Sequence, residues 1–307
     1  MSQVVANESI PEARRVPEGA FVARIDELLE KHQPNATVPW SGNAIPDWAR
    51  NFSPRIIVDL GSGSGGFIHS ALVRLGQWGC LNDLERVVLI EPDTSIDSGG
   101  EDSLRVRLEE RVFSALKEGG KGGVQVNVVV APIVLTEDVS NQQIYIEVLE
   151  PYRNVDLIIA SHVTYYFGDG SGRELIAPLL DRYLSFAGRI WCVIRKWQCP
   201  IYIARAQTLL QLCAPDIKPF DYAEYFEREV LPSLCRGKVF AATDKDYLNS
   251  PEFKGRSEAA HLLMWREAPS QELITSPYSE AVAGLPRAEA LFSERHFIIG
   301  RFHGTGI

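Results

Sequence analysis

Two acidic residues stand before and after a glycine-rich turn in the first third of the chain. Residues 55–65 read RIIVDLGSGSG, so an apolar run leads through Asp59 directly into the turn. A second apolar run, VVLI at 87–90, ends in Glu91. Glycine lets a backbone approach a ligand closely and adopt positive φ angles, and the helix after such a turn offers unpaired N–H groups. The pattern is typical of a site for an adenosine-containing cofactor.

The turn by itself leaves the cofactor open, because Gly61, Gly63 and Gly66 also satisfy the dinucleotide fingerprint G-x-G-x-x-G. A nearby carboxylate repels a pyrophosphate, which weighs against a dinucleotide next to Asp59. S-adenosylmethionine carries no phosphate, and an acid attracts its α-amino group and its sulfonium. Glu91 would accept hydrogen bonds from the ribose hydroxyls of either cofactor. A strand–helix turn that binds no ligand is the structural alternative.

An alternation of strands and helices surrounds the turn and predicts a parallel sheet with helices on both faces. The candidate strands are Arg55–Leu60, Arg86–Glu91, Val124–Val130, Val155–Ser161, Gly188–Arg195, 238–242 and His296–Phe302. The candidate helices are Phe21–Leu29, Gly66–Leu75, Asp102–Lys117, Glu137–Glu150, Arg173–Phe186, Ile201–Cys213, Tyr222–Leu234 and Ala259–Arg266. We expect one domain at 51–307, preceded by a helical cap segment at 1–50, with 197–285 as a lid over the substrate.

The residues around the turn resemble class I S-adenosylmethionine-dependent methyltransferases, through VDLGSGSG at 58–65 and LIEPD at 89–93. The resemblance covers residues 50–196. It implies an α/β fold with a doubly wound, Rossmann-like, seven-stranded and mostly parallel sheet and helical lid insertions. It also implies S-adenosyl-L-methionine as the cofactor, and no metal. Relatives hold adenine beside an acid or small polar residue where this chain has Ala131, so we expect apolar and backbone contacts there. The cofactor-binding residues that follow are Asp59, Gly61, Ser62, Gly63, Gly65, Glu91, Pro92, Ala131 and Ser161.

The segment after the fourth predicted strand, Ser161 to Tyr166, is expected to border the reacting groups, because ligands of open parallel sheets lie beyond the carboxyl ends of the strands. His162 can orient or deprotonate an acceptor, since an imidazole titrates near neutral pH. A purely structural imidazole is the alternative. Tyr165 and Tyr166 can line a pocket for a cationic amine or sulfonium, unless they pack in the core. We predict that His162 and Tyr166 are catalytic.

The same segment is similar to that of histamine N-methyltransferase and related small-molecule methyltransferases. In that family a polar residue after the fourth strand and two tyrosines line the amine pocket. An acid of the N-terminal helix and a polar residue before the last strand also contribute. His162 departs from the amide that the family has at its position. The substrate-binding residues implied in this way are His162, Tyr165, Tyr166, Glu294 and, from the N-terminal helix, Glu27 or Glu30.

Composition narrows the possible partners. The chain has 307 residues and a formal net charge of −9, and an acidic surface is a poor match for phosphate backbones, which weighs against nucleic acid. Five cysteines in a spacing that fits no zinc pattern predict reduced thiols in the cytoplasm. We expect neither a secretory leader nor a membrane span, because no run approaches ~18 apolar residues. The oligomeric state is open between a monomer and a homodimer.

These observations favour a methyltransferase that acts on a small molecule, with an amine or guanidine nitrogen as the acceptor. O-methylation and methylation of a protein side chain are the alternatives among enzymes. A catalytically silent methyltransferase fold that serves as a binding subunit is the alternative from another class. The intact turn, with Asp59 and Glu91, argues against a loss of cofactor binding.

Overall fold

A seven-stranded sheet forms the centre of the fold in the computed structural model. The strands are β1 (Ile56–Leu60), β2 (Arg86–Glu91), β3 (Gln125–Val130), β4 (Val155–Ser161), β5 (Leu184–Arg195), β6 (Gly237–Leu248) and β7 (Leu291–Arg301). The residues that the structure describes are 39–40, 44–63, 65–91, 104–130, 149–164, 172–196, 222–234, 237–248 and 291–301.

The strands are ordered β3-β2-β1-β4-β5-β7-β6 across the sheet. Neighbouring strands from β3 to β5 are parallel, and β7 is antiparallel to both β5 and β6. The predicted Rossmann-like, mostly parallel sheet is thereby confirmed. The direction of winding reverses between β1 and β4, which opens a crevice at the carboxyl ends of these two strands.

Helical segments of the described residues cover both faces of the sheet. In chain order they are a 3₁₀ turn at Asp47–Ala49, α1 (Gly66–Gln77), α2 (Leu104–Glu118), a 3₁₀ turn at Glu150–Tyr152, α3 (Arg173–Pro178, continued by a π-helical turn at Leu179–Tyr183) and α4 (Tyr222–Tyr225, a π-helical turn at Phe226–Val230 and a last turn at Leu231–Ser233). Helix α1 buries Ile68, Ala71, Leu72 and Leu75, whose spacing forms one helical face.

The buried strands contribute alternate residues to two separate cores. In β1, Ile57 packs in the core beneath α1 and α2, whereas Val58 packs in the core beneath α3 and α4. In β4, Leu157 and Ile158 divide in the same way. A strand that is buried on both faces needs apolar residues at nearly every position, which explains the long apolar runs in the sequence.

The boundaries of four predicted elements were wrong. Helix α3 ends at Tyr183 rather than Phe186, and β5 begins at Leu184, which pairs with Val155. The Ser185 hydroxyl also donates to an Asp156 carboxylate oxygen at 2.8 Å, so a polar contact holds this end of the strand. Strands β6 and β7 are longer than predicted because their polar halves pair with each other as far as Leu248 and Leu291.

Several predictions fall on residues outside the described part of the chain. They include the helices at 21–29, 201–213 and 259–266 and most of the helix at 137–150. The division into a cap at 1–50, a domain at 51–307 and a lid at 197–285 therefore stays a prediction. Among the described helices, none combines the length and the apolar character that crossing a bilayer requires.

Candidate functional site

The candidate site lies along the edge of the sheet where the parallel strands end. The turn at 61–65 follows β1, Glu91 ends β2, and His162 follows β4. Because β7 runs in the opposite direction, its beginning lies at this same edge, and Glu294 stands opposite Arg195 at the end of β5. Residues from distant parts of the sequence therefore meet at the crevice between β1 and β4.

The turn after β1 owes its shape to glycine. Gly61, Gly63 and Gly65 have φ angles of 65°, 53° and 82°, in the left-handed region that other residues avoid. The backbone N–H groups of Gly61 and Ser62 donate to the Ile90 carbonyl at 2.8 and 3.2 Å. These bonds fasten the turn to β2 and bring it close to Glu91.

Gly61 also makes room for the segment after β4. A Cβ atom at this position would lie 2.4 Å from Cγ1 of Val163. The close approach means that Val163 covers the turn, which places the neighbouring His162 beside it. Glycine is thus required at position 61 both for its φ angle and for this contact.

Gly61→Ala is expected to lower the free energy of unfolding by about 3 kcal/mol, from the left-handed φ angle and the clash with Val163 together. Gly79→Ala is the matched control, since Gly79 has a φ of 73° but no atom within 4 Å of the place that a Cβ would take, and it should cost only about 1 kcal/mol. Urea denaturation measures both. Adding Val163→Ala should recover part of the loss in Gly61→Ala, and strict additivity of the two changes would contradict the contact.

Two carboxyl groups are buried at the turn. Asp59 and Glu91 are 2% and 3% exposed. The Gly63 N–H donates to Oε2 of Glu91 at 2.6 Å. Burial raises the pKa of Asp59 from 3.8 to about 8; a hydrogen bond from Ser62 lowers it, and the charge of Glu91 raises it further. Asp59 therefore holds its proton at neutral pH until a positive charge approaches it.

The raised pKa of Asp59 predicts a stability that falls as pH rises. Between pH 3.8 and about pH 8 the folded protein holds a proton that the unfolded chain releases. Each pH unit in this range therefore lowers the free energy of unfolding by about 1.4 kcal/mol. Below pH 6.5 the depressed pKa of His296, about 4, acts with the opposite sign. From pH 6.5 to pH 8 the loss of stability that Asp59 causes is not offset by His296.

Asp59→Asn removes this titration while keeping the shape of the side chain. We expect the variant to gain about 2 kcal/mol relative to the unsubstituted protein between pH 6.5 and pH 8. Urea denaturation of both proteins at the two pH values measures the difference, in which contributions from other groups cancel. If the difference in the free energy of unfolding between the two proteins is the same at both pH values, Asp59 is ionised in the folded state.

His162, Glu294 and His296 form a second cluster on the same edge. Nε2 of His162 lies 2.8 Å from Oε1 of Glu294, and Nε2 of His296 lies 3.8 Å from Oε2. The Glu294 side chain is 12% exposed and that of His162 is 25% exposed. His162 and Glu294, which were each predicted to bind the substrate, are therefore in direct contact.

The backbone at His162 is unusual. Its φ angle is +57°, which is uncommon for a residue with a side chain, and its N–H donates to the Val193 carbonyl at 3.0 Å. Such a conformation costs about 1 kcal/mol or more and persists where the surroundings demand it. Here it turns the chain out of β4 with the ring against Glu294.

His296 was not among the predicted site residues. It is fully buried, and Nε1–H of Trp191 donates to its Nδ1 at 3.2 Å. Burial lowers its pKa to about 4. The ring stacks on Phe67 and contacts Trp40 edge-on. A polar residue two positions after Glu294, at the start of an apolar run, was the signal in the sequence.

The structure brings most of the predicted residues into two neighbouring groups. Asp59, Gly61, Ser62, Gly63, Gly65 and Glu91 surround the turn, and Ser161, His162 and Glu294 lie at the ends of β4 and β7. The other predicted site residues lie outside the described part of the chain; they are Glu27, Glu30, Pro92, Ala131, Tyr165 and Tyr166. Among the described residues, no group of three or more His, Cys, Asp or Glu side chains is arranged to hold a metal ion.

Neither a protein-family model nor a curated protein matches this chain. Solved structures that are similar include an S-adenosylmethionine-dependent methyltransferase from Methanosarcina mazei, with 11% identity, 83% of this chain and 97% of that chain covered, and a TM-score of 0.43. An arsenic(III) S-adenosylmethionine methyltransferase from Chlamydomonas reinhardtii has 15% identity, coverage of 95% and 76%, and a TM-score of 0.42. A geranyl diphosphate methyltransferase in complex with S-adenosylmethionine has 14% identity, coverage of 92% and 85%, and a TM-score of 0.39. Similarity at this level says nothing about substrate.

Proposed function

We propose that this chain is an S-adenosylmethionine-dependent methyltransferase whose acceptor is a small molecule with a basic amine or guanidine nitrogen. The observation that carries the proposal is the pair of buried carboxyl groups, Asp59 and Glu91, at the turn between β1 and α1. A dinucleotide would place its pyrophosphate at this turn, and a pyrophosphate offers no positive charge to pair with the buried Asp59 carboxyl group. A ligand with a positive charge and a diol suits them instead.

The carboxyl groups and backbone amides at the turn fit the polar parts of S-adenosylmethionine. Asp59 would pair with the α-amino group and lose its proton as it does so. The first amides of α1 would face the carboxylate of the cofactor. Glu91 would exchange its bond to the Gly63 amide for bonds from the ribose hydroxyls. Contacts of Pro92, Ala131 and Ser161 with the cofactor are proposed from the resemblance alone.

The acid at the start of β7 supports a cationic acceptor. Glu294 is nearly buried and lies beside His162, whose neighbour Val163 touches the cofactor turn. A carboxylate in such a position favours a protonated nitrogen over a neutral group. Roles for Tyr165, Tyr166 and Glu27 or Glu30 in the same pocket rest on the resemblance to small-molecule methyltransferases.

The proposed reaction needs alignment and one proton transfer. The cofactor supplies an electrophilic methyl group on a sulfonium. His162 donates Nε2–H to the Glu294 carboxylate, so Nδ1 is the atom that takes the proton from the acceptor nitrogen. The neutral nitrogen would then bond to the methyl carbon as the carbon–sulfur bond breaks, with S-adenosylhomocysteine as the leaving group. Glu294 holds the ring in place and compensates the charge that forms on it.

Isothermal titration of the full chain with S-adenosylhomocysteine, NADH and FAD tests the cofactor. We expect binding of the first only, with release of a proton at pH 7 that changes the binding enthalpy from buffer to buffer. The proton release should vanish in Asp59→Asn. Binding of a dinucleotide, or none of S-adenosylhomocysteine, would refute the proposal.

Transfer of labelled methyl groups from S-adenosylmethionine to matched amines, guanidines and alcohols tests the acceptor. The pair of His162 and Glu294 would also deprotonate a hydroxyl, which makes O-methylation the second candidate. Preference for an amine over the alcohol of the same skeleton supports the first candidate, and the reverse preference supports the second. Labelling of proteins alone would point to a side-chain acceptor, and cofactor binding without any transfer would point to a silent binding subunit.

A further inference from the structure

The ring of His296 is held in one tautomer by Trp191. An indole N–H can only donate a hydrogen bond, and Trp191 directs it to Nδ1 of His296 at 3.2 Å. Nδ1 is therefore the acceptor, and the proton of the neutral ring is on Nε2. Both residues are fully buried, and burial lowers the pKa of His296 to about 4, so the ring is neutral under physiological conditions.

Nε2 of His296 lies near the carboxylate of Glu294. Nε2 of His296 lies 3.8 Å from Oε2 of Glu294, and among the described residues it has no hydrogen-bond partner. The two residues are two positions apart on β7, so they share one face of the sheet. The other oxygen of Glu294 is 2.8 Å from His162. The Glu294 carboxylate thus lies between the imidazole rings of His162 and His296.

The charged groups around His296 come from several strands. The pKa of its ring is raised by Glu294 and Asp244 and lowered by His162 and Lys245. In register, Lys245 lies opposite Glu294 on β6. These charges oppose one another, so the burial of the ring decides its neutral state.

We propose that Trp191 and His296 form a tautomer lock, in which the indole fixes the imidazole so that its Nε2–H faces Glu294 and keeps that carboxylate ionised as the partner of His162. With the opposite tautomer, a lone pair would face the carboxylate and repel it. His296 is in this view a positioning residue, since it acts on the reaction only through Glu294. The catalytic consequence rests on the proposed role of His162 as the base.

The tautomer lock between Trp191 and His296 can be tested without a methyl-transfer assay. In the full chain with ¹⁵N-labelled histidine, NMR should show the His296 ring as the Nε2–H tautomer from about pH 6 to pH 8. Trp191→Phe keeps a buried ring but removes the donor, and it should give a mixture of tautomers. A pure Nδ1–H tautomer in the unsubstituted protein, or an unchanged ring in Trp191→Phe, would overturn the proposal.

A matched pair of substitutions tests the effect on Glu294. His296→Gln can place an N–H donor at the reach of Nε2, whereas His296→Asn keeps an acceptor near Trp191 but is too short to bring its N–H groups to the place of Nε2. We expect His296→Asn to lower kcat about tenfold to a hundredfold, as for other residues that orient a reacting group, and His296→Gln to recover most of it. Loss of the donor removes a dipole that favours the negative charge of the Glu294 carboxylate. The acidic limb of the kcat profile should therefore move to higher pH in His296→Asn alone.

The affinity for S-adenosylhomocysteine distinguishes a lost positioning role of His296 from a damaged cofactor site. The affinity should be unchanged in both His296 variants, because the described ring contacts of His296 are with Trp191, Phe67 and Trp40 rather than with the turn. Equal losses of kcat in the two variants, or an unmoved acidic limb, would overturn the positioning role. If His296→Asn does not fold, Trp191→Phe takes its place in the kinetic comparison. If the proposed methyl transfer itself fails, the NMR result still decides whether the lock exists.

Discussion

Glu91→Ala is expected to weaken the binding of S-adenosylhomocysteine by at least about a hundredfold. The carboxylate of Glu91 would accept hydrogen bonds from both ribose hydroxyls, and a hydrogen bond to a charged group contributes about 1.5–3 kcal/mol. It is 3% exposed, so water cannot readily replace it. Isothermal titration of the variant measures the loss.

Glu85→Ala is the matched control for this experiment. Glu85 directly precedes β2, but its side chain is 59% exposed and pairs with Arg55, at the opposite end of the strand from the turn. We expect its affinity to stay within about twofold of the unsubstituted protein. Urea denaturation checks that both variants are folded. An affinity of Glu91→Ala equal to that of Glu85→Ala would show that the ribose lies elsewhere.

His162→Asn is expected to lower kcat by about 10²–10⁴, the usual contribution of a positioned acid–base group. Asparagine tolerates a left-handed backbone well, so the φ of +57° should be kept. KM for the acceptor should change far less than kcat, because Glu294 remains to bind it. The rate and KM in a labelled-methyl assay give both values.

The corresponding control is His69→Asn. His69 lies in α1 and pairs with Glu118 at 3.6 Å on the surface, so its loss should leave kcat unchanged. Both variants should bind S-adenosylhomocysteine as the unsubstituted protein does. A kcat of His162→Asn close to that of His69→Asn would mean that bulk water accepts the proton and that His162 has a structural role only.

The sequence was most informative where local chemistry dictates structure. Strands β2 and β4 have the predicted bounds, because residues buried on both faces must all be apolar. The turn was predictable since three of its residues need positive φ angles, which glycine adopts at little cost.

Contacts between distant segments were harder to predict. The beginning of β5 was misplaced because Leu184–Phe186 continue an apolar helical pattern, and only the pairing of Leu184 with Val155 makes them a strand. His296 was missed because a lone histidine in an apolar strand has no distinctive spacing. Its importance comes from Trp191, which is 105 residues away in the sequence.

What the sequence by itself determined is the glycine turn and the alternation of strands and helices, since both depend on short-range preferences for φ angle and on the apolar pattern of the chain. The tertiary structure decided which acids and imidazoles meet. The reversed direction of β7 carries Glu294 across 132 residues of sequence to His162. Burial, a property of the packed fold alone, sets the raised pKa of Asp59 and the depressed pKa of His296.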